Sequence, residues 1–411
     1  MYTLATLALC LSLVTPGARE PEIKWVANLA GRIYCSVVIA DLNSDGLLEV
    51  LDCDSEDRQL VCVDSAGKEL WRYGGAQVFS IRLTSAPAVG DLDGDGKQEI
   101  YLAGGDGRLI RLDGSGHEVW RLPLPGNVDW SSPSLLTAPE PLIVTGTNNG
   151  WLVAATPDGR LAWERHLRGG VGGPLGLADL DADGSQEVLC PGGDGGNYCY
   201  DYRGGLRWRV ATMGPVDAGP VAAHLRQGEP LTLVCVDGEG AVAARDAVTR
   251  RLRWRYRTVA HNSSIDATLA LADLDGDGGL ETLFCDTVGY LYALRADGSE
   301  HWVARMDNGS YSAPAIGDVD GDQRVEVLVG GNDGFLYCFS AGGELKWRFN
   351  AMPVIGTSPA IADIDGDGEA EILFGSHNGR LHCLTLHGRY DPGLVPWPTR
   401  RFDPAQTGWL R

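Results

Sequence analysis

An acidic loop that recurs six times constrains the fold of this chain more than any other feature. In GDLDGDGKQEI, residues 90–100, four carboxylates stand within nine positions. Two carboxylates about 5 Å apart repel each other by roughly 3 kcal/mol at an effective dielectric constant of about 20. A positively charged partner must therefore neutralise the cluster.

The ligand pattern of the loop predicts a calcium site. In D-x-D-x-D three side chains turn toward one centre, the following Gly permits a sharp turn, and a later Glu adds another oxygen donor. Oxygen ligands without Cys or His favour Ca²⁺ over zinc. The closing acid is at position 9, so the loop is not an EF-hand, whose bidentate Glu is at position 12. We expect up to six Ca²⁺ ions, held by Asp41, Asn43, Asp45 and Glu49; Asp91, Asp93, Asp95 and Glu99; Asp179, Asp181, Asp183 and Glu187; Asp273, Asp275, Asp277 and Glu281; Asp318, Asp320, Asp322 and Glu326; and Asp363, Asp365, Asp367 and Glu371.

The formal charge of the chain is concentrated in these loops. The first loop carries three negative charges and the other five carry four each, 23 in all, whereas the net charge of the chain is −21. The remainder is therefore positive by 2 and has no Lys/Arg stripe of the kind that nucleic-acid binding requires. The composition thus argues against a nucleic-acid partner.

The loops belong to a longer repeat. Their first acids fall at positions 41, 91, 179, 273, 318 and 363, so the spacings are 50, 88, 94, 45 and 45. The two long gaps contain WSSPSLLTAPEPLIVTGTNNG and GPVAAHLRQGEPLTLVCVDGEG, which align with the other units when the metal loop is shortened to a turn. The chain thus contains eight units of about 46 residues, of which the third and fifth lack the loop.

Each unit predicts four short strands. In the second unit, apolar or alternating runs are separated by Gly/Asp-rich turns, and the fourth run contains Trp120. Trp residues recur at this place, which indicates packing between units. Radially arranged four-stranded units of this length predict an all-β, eight-bladed β-propeller, with a seven-bladed ring as the alternative.

The N-terminal strand is expected to close the ring. EIKWVANL, residues 22–29, matches the fourth strand ELKWRFNA of the seventh unit, whereas the eighth unit is followed by a segment containing three prolines. We therefore expect residues 19–388 to form the propeller and residues 389–411 to form a C-terminal tail packed on its outside.

These repeats resemble two known families. The D-x-[DN]-x-D-G-x-x-E loops resemble FG-GAP/VCBS repeats, which integrin alpha chains share, and GFLYCFSAGGELKW and GYLYALRADGSEHW resemble PQQ-like propeller repeats. The resemblance covers residues 22–387 and implies calcium in the loops and a binding or scaffolding role. Two departures are the missing loops of units three and five and Gln323, which replaces the turn Gly of the fifth loop.

The first 18 residues resemble a secretory signal peptide. They contain an apolar stretch of about a dozen residues and end in small residues. No later segment is apolar enough to cross a membrane, so we expect a secreted, periplasmic or cell-surface protein. Nine cysteines follow; a disulfide within a blade is an alternative to buried thiols for Cys53 with Cys62 and for Cys190 with Cys199.

The mouth of the central channel is the candidate ligand site. The positions seven residues before each loop, or before its aligned equivalent, converge there, and they include aromatic and acidic residues that suit a carbohydrate or a peptide. With neighbours on the same loops, the candidate ligand-binding residues are Arg32, Tyr34, Arg82, Trp130, Asp217, His261, Asp266 and Tyr311.

The sequence predicts a non-catalytic, calcium-binding module for a glycan or protein partner. A quinone dehydrogenase is disfavoured because the adjacent Cys-Cys pair that the PQQ-like resemblance leads one to expect is missing. The main alternative is a calcium-dependent polysaccharide lyase, for which His261 and Tyr311 would be the base candidates.

Overall fold

The chain forms a ring of eight four-stranded antiparallel sheets. The computed structural model describes residues 19–237, 239–259, 263–403 and 406–407. Within these ranges the helical structure is one 3-10 turn, Pro392–Leu394, and no helix is long and apolar enough to cross a bilayer. The predicted eight-bladed propeller is confirmed, and the seven-bladed alternative is excluded.

The strands, numbered β1 to β32 in chain order, occupy four positions from the channel outward. The innermost strands are β2 Val38–Ala40, β6 Ala88–Gly90, β10 Ser134–Leu136, β14 Gly176–Ala178, β18 Val221–Ala223, β22 Ala270–Ala272, β26 Ala315–Gly317 and β30 Ala360–Ala362. The second strands are β3 Glu49–Asp54, β7 Glu99–Gly104, β11 Leu142–Gly146, β15 Glu187–Gly192, β19 Thr232–Asp237, β23 Glu281–Cys285, β27 Glu326–Gly330 and β31 Glu369–Ser376.

The third and fourth strands complete each blade toward solvent. The third strands are β4 Gln59–Val63, β8 Arg108–Leu112, β12 Trp151–Ala155, β16 Gly196–Tyr200, β20 Ala241–Asp246, β24 Tyr290–Leu294, β28 Phe335–Ser340 and β32 Arg380–Arg389. The outer strands are β5 Glu69–Gly74, β9 Glu118–Pro123, β13 Leu161–His166, β17 Leu206–Ala211, β21 Leu252–Arg257, β25 Glu300–Arg305, β29 Leu345–Asn350 and β1 Glu22–Asn28.

The burial of each strand follows from its position in the blade. Every residue of β3, β7 and β15 is buried, because both faces of a second strand pack against neighbouring blades. In the outer strand β17, by contrast, exposed and half-buried residues alternate. The apolar clusters consequently lie between blades; one of them joins Leu51 and Cys62 of the first blade to Ile100 and Ile110 of the second.

A Trp on each outer strand links neighbouring blades, as the sequence predicts. The Trp25 Nε1 donates to the Ser65 carbonyl at 2.8 Å, and Trp302 makes the same contact with Ala341 at 2.8 Å. The Trp25 ring also covers a turn glycine of the next blade, since a Cβ on Gly67 would lie 2.6 Å from it. These Trp residues therefore contribute to packing between blades rather than to a ligand site.

The N-terminal strand closes the ring. Strand β1 pairs antiparallel with β32, with Trp25 opposite Cys383 and Asn28 opposite Arg380, and so becomes the outer strand of the eighth blade. The last blade thus contains strands from both ends of the chain, as predicted.

The prediction of a tail packed on the outside was wrong, because the tail enters the central channel. The Ile316 amide donates to the Trp397 carbonyl at 2.7 Å, Ile361 to Pro398 at 2.9 Å and Leu177 to the Thr407 carbonyl at 3.0 Å. The donors belong to innermost strands, whose channel-facing N–H groups need acceptors. Three prolines prevent the tail from forming a fourth strand, but its carbonyls supply these acceptors and its apolar side chains, such as the fully buried Trp397, fill the channel.

The nine cysteines between residues 35 and 383 are buried free thiols. Cys190 pairs across the sheet with Tyr198, whereas Cys199 pairs with Leu189, so the two thiols of the fourth blade point to opposite faces. The cysteines therefore act as small apolar residues of the blade core. Among the described residues of this structure, none of them forms the alternative disulfide within a blade.

Candidate functional site: acidic loops and the channel mouth

The six acidic loops share one hydrogen-bonded framework. Each joins the innermost strand of its blade to the second strand. The closing Glu is buried and accepts a hydrogen bond from the amide of loop position 2 at 2.8 to 3.0 Å in all six. The Asp at position 1 accepts one from the amide of position 6 at 2.9 to 3.0 Å. The backbone therefore sets the acids in the same arrangement in every loop.

A basic side chain of the same blade reaches the acids of four loops. Its cationic group contacts both the carboxylate at position 3 and the closing Glu. The distances to the position-3 carboxylate are 2.6 Å for Lys24 with Asp365, 2.6 Å for Lys346 with Asp320, 2.7 Å for Arg207 with Asp181 and 2.5 Å for Arg111 with Asp93. In the loop that contains Asp275, His301 Nδ1 lies 3.8 Å from that carboxylate.

The basic residue has a regular position in the sequence, a signal that sequence reasoning missed. Lys24, Arg207, His301 and Lys346 each precede the outer-strand Trp of their blade. In the second blade Val119 takes that place, and the cation comes instead from Arg111, which lies opposite Trp120 on the neighbouring strand. The cation is thus retained although its strand changes.

The first loop replaces the cation by an amide. Leu70 precedes Trp71, and within the described residues no basic side chain lies within 4.0 Å of this loop's acids. Its position-3 residue is Asn43, whose Nδ2 donates to Glu49 Oε1 at 3.0 Å. Asn43 thus supplies the hydrogen bond that the basic residue supplies elsewhere. The first loop thus has three acids at the four ligand positions and no cation, whereas the loops of Lys24, Arg111, Arg207 and Lys346 have four acids and one cation of the same blade.

The residues of these loops fit a hard divalent cation. In the second loop, oxygen atoms of Asp91, Asp93, Asp95 and Glu99 all lie within 4.8 Å of one another. Asp365 Oδ1 of the last loop is buried and has no hydrogen-bond partner among the described residues. A cation bound there would meet carboxylate oxygens, the donors that Ca²⁺ prefers. Calcium as the ion stays a prediction.

Gln323 occupies a left-handed conformation in the fifth loop. Its φ is 67°, and the glycines at the same position of the first and second loops have φ of 87° and 84°. The loop thus keeps the turn that the framework requires, although a side chain with a Cβ is disfavoured in this conformation.

The channel mouth forms a cavity of about 470 Å³ on the side opposite the acidic loops. Seven of the eight positions that the spacing predicts to converge there line it: Tyr34, Trp130, Gly172, Asp217, Asp266, Tyr311 and Gly356. The eighth, Thr84, donates its hydroxyl to the Asp129 carbonyl at 2.6 Å instead. The structure therefore brings five of the candidate ligand residues together; their role in binding stays a prediction.

The aromatic residues of the cavity differ in their exposure and in their contacts with neighbouring side chains. Trp130 and Tyr311 are 47% and 54% exposed, so their rings are available to a ligand. Tyr34 is half-buried; its ring centroid lies 4.6 Å from that of His377, and the Arg82 guanidinium lies 6.0 Å from it. Arg32 donates to the Tyr34 hydroxyl at 3.3 Å. Arg32 and Arg82 thus stand beside Tyr34 and do not themselves line the cavity.

The acids of the cavity stand on the loops that lead into the fifth and sixth blades. Asp217 is exposed, but desolvation by the surrounding protein, with a smaller contribution from the Asp266 charge, raises its pKa above the ordinary value. Burial lowers the pKa of His377, so this imidazole is neutral at pH 7. His261, the remaining candidate, lies outside the described residues.

Sequence reasoning missed four residues of the cavity: Ser36, Ser358, His377 and Arg400. The two serines stand two positions after Tyr34 and Gly356, on the same side of an extended segment, so the repeat spacing could have found them. His377 comes from the turn between β31 and β32, and Arg400 comes from the tail. No repeat signal marks either of these two.

Comparison with protein families supports both kinds of repeat. Residues 318–374 match the FG-GAP-like repeat family, and residues 39–183 match the PQQ-type family described as outer membrane protein assembly factor BamB. Both predicted resemblances are confirmed. Residues 142–226 match a third family, the lambda-carrageenase beta-propeller domain.

Solved structures share the fold over most of the chain. BamB from Moraxella catarrhalis has a TM-score of 0.60 and 17% identity, covering 89% of this chain and 100% of its own. The Vibrio cholerae biofilm matrix protein Bap1 has a TM-score of 0.65 and 14% identity, covering 93% and 92%. Quinohemoprotein alcohol dehydrogenase ADHIIG from Pseudomonas putida has a TM-score of 0.67 and 12% identity, covering 90% and 77%.

Identities this low establish the propeller fold and nothing about activity. A comparison with curated proteins found no significant match.

Proposed function

We propose that this chain is a secreted, non-catalytic propeller that binds a glycan in the cavity at its channel mouth, with Ca²⁺ in its acidic loops. The observation that carries the proposal is the cavity itself. The tail closes the channel behind it, and two exposed aromatic rings stand at its rim with Asp217 and Asp266. Sugar rings pack their C–H faces on aromatic side chains, and their hydroxyl groups donate hydrogen bonds to carboxylates. The aromatic rings and the two carboxylates of the cavity therefore both suit a sugar ligand.

The size and shape of the cavity favour a glycan over a protein surface. Ligand pockets commonly measure about 300–1,000 Å³, and this cavity falls within that range. A stable protein interface buries about 800 Å² on each partner, mostly on flat surfaces. The match of residues 142–226 to a family named for a carrageenase, an enzyme of a polysaccharide, supports the same choice, since that segment contains Gly172 and Asp217 of the cavity.

The acidic loops support the fold in this proposal. The third and fifth blades keep their four strands and their Trp residues although a short connection replaces the loop. The loop is thus dispensable in single blades, which fits stabilisation better than ligand recognition. The loops also open on the opposite side of the ring from the cavity.

The test is a glycan-array screen with and without EGTA, followed by titration of the best ligand into two variants. Trp130→Ala removes an exposed ring of the rim and should weaken binding at least roughly thirtyfold, the effect of a Trp hot spot. Met352→Ala is the matched control, because Met352 is 53% exposed on a loop of the same side but does not line the cavity. Equal affinity of the Trp130→Ala variant and the unchanged protein would refute the proposal.

A cleavage assay with the same ligand distinguishes a binding protein from the alternative, a lyase. Incubation of the polysaccharide with the protein and Ca²⁺ should leave its chain length unchanged. An increase in unsaturated ends, measured by ultraviolet absorbance, would establish lyase activity instead.

A further inference from the structure

The floor of the cavity holds a cation without an acidic partner. Arg400 reaches the cavity from the tail, between the innermost strands. Within residues 19–237, 239–259, 263–403 and 406–407, no carboxylate oxygen lies within 4.0 Å of its guanidinium, and no hydrogen bond of this group is found. Arg400 is half-buried, and a charge that is partly withdrawn from water without a partner is unfavourable, so such groups are normally paired.

The neighbouring Arg401 increases the positive charge beneath the cavity. This side chain is fully buried; its Nη2 donates to the Leu175 carbonyl and, at 3.1 Å, to the Thr407 carbonyl. Its Nε and Nη1 have no hydrogen-bond partner among the described residues. Two consecutive arginines of the tail thus lie at the channel, one lining the cavity and the other buried against the innermost strand of the fourth blade.

The rest of the cavity does not neutralise Arg400. Asp217 and Asp266 line it from the fifth and sixth blades, beyond ion-pair distance from this guanidinium. The other polar side chains of the lining carry no charge; they are the hydroxyls of Ser36, Ser358, Tyr34 and Tyr311, the Trp130 indole and the neutral imidazole of His377. A ligand that brought an anionic group to Arg400 would therefore provide the missing charge.

We infer that the cavity selects an acidic glycan, whose carboxylate or sulfate group binds Arg400 while neighbouring hydroxyls contact Asp217 and Asp266 and one sugar face packs on Trp130. This inference rests on the proposed function and specifies its ligand class. Guanidinium groups bind both oxyanions through paired N–H donors, so carboxylate and sulfate share the chemistry required here.

The test compares matched probes by isothermal titration calorimetry on the full chain with Ca²⁺ present. The probes are trigalacturonate, its fully methyl-esterified form and a sulfated galactan trisaccharide. We expect at least one acidic probe to bind about tenfold or more tightly than the neutral ester, the effect of a hydrogen bond to a charged group. Whichever acidic probe binds more tightly identifies the oxyanion as carboxylate or sulfate.

Arg400→Gln should bring the affinity of the acidic probe down to that of the ester, and Arg400→Lys should retain part of the difference. An acidic and a neutral probe of equal affinity on the unchanged protein would overturn the inference, and this comparison does not depend on the folding of any variant. A preference for the acidic probe that persists in a folded Arg400→Gln variant would overturn it as well.

The outcomes separate this inference from the proposed function. If both probes bind equally and Trp130→Ala weakens both, the cavity binds glycans but Arg400 does not select them. If neither these probes nor any glycan of the array binds, the proposed function fails together with the inference.

Discussion

Replacing Asn43 by Asp should destabilise the first blade, and a lysine at Leu70 should restore its stability. The substitution raises the number of acids in the first loop to four and removes the hydrogen bond to Glu49, which measures 3.0 Å between Asn43 Nδ2 and Glu49 Oε1. Leu70 lines the same surface cleft as Asn43 and Glu49 and occupies the position that Lys24 and Lys346 hold in their blades.

The expected magnitude follows from the positions of the two groups. Unit charges 4 Å apart interact by about 1 kcal/mol in water and about 4 kcal/mol at an effective dielectric constant of 20. Asn43 is exposed and Glu49 is buried, so an intermediate value applies. We expect Asn43→Asp to lower the free energy of unfolding by about 2 kcal/mol in EDTA at low salt, and the double variant with Leu70→Lys to recover most of the loss.

The assay is urea unfolding followed by Trp fluorescence. The matched control is Asn43→Asp with Ala162→Lys, because Ala162 also precedes an outer-strand Trp but belongs to the third blade, which lacks the acidic loop. Equal recovery with Ala162→Lys, or no loss in the single variant, would refute the reasoning. If Ca²⁺ occupies the first loop, millimolar Ca²⁺ should abolish the effect of Asn43→Asp, because the added acid becomes a ligand.

Three further predictions concern the metal loops, ring closure and pH. Gln323→Gly should raise the affinity of the fifth loop for Ca²⁺, since it removes a left-handed strain of roughly 1 kcal/mol; calcium titration that shows no gain would contradict this. Deletion of residues 19–30 should cause aggregation or a large drop in melting temperature, because the eighth blade loses its outer strand; a soluble variant with an unchanged melting point would exclude closure by β1. Burial lowers the pKa of His382 from its ordinary 6.5 to about 4. As the pH falls from 6.5 toward 4, the unfolded chain therefore binds a proton at this residue while the folded chain does not, and the free energy of unfolding decreases. In urea unfolding over that pH range, the His382→Gln variant should therefore lose up to about 3 kcal/mol less stability than the unchanged protein. Identical pH profiles of the two proteins would exclude this role of His382.

The sequence predicted the parts of the molecule that repeat. Each blade contains its own strand pattern and its own loop, so a comparison of units places Asp217 and Tyr311 at the channel mouth without a structure. The match between EIKWVANL and an outer strand likewise predicted the closure of the ring.

The parts that do not repeat escaped prediction. Arg400 occurs once, in a segment that aligns with no blade, and its location depends on which innermost N–H groups lack acceptors. The contact of Lys24 with Glu371 joins residues 347 positions apart. The contact follows from the basic residue that precedes the outer-strand Trp. That residue can be matched to the loop only when the outer strand and the loop are known to be neighbours.

The tail in the channel changes how this ring can come apart. A propeller whose halves meet only around the circumference can open at the blade that is built from both chain ends. Here the tail leaves that blade and bonds to innermost strands of the seventh and eighth blades and, across the channel, to the fourth. Opening at the closure therefore requires the tail to leave the channel as well, so the closing blade and the floor of the cavity form one cooperative unit.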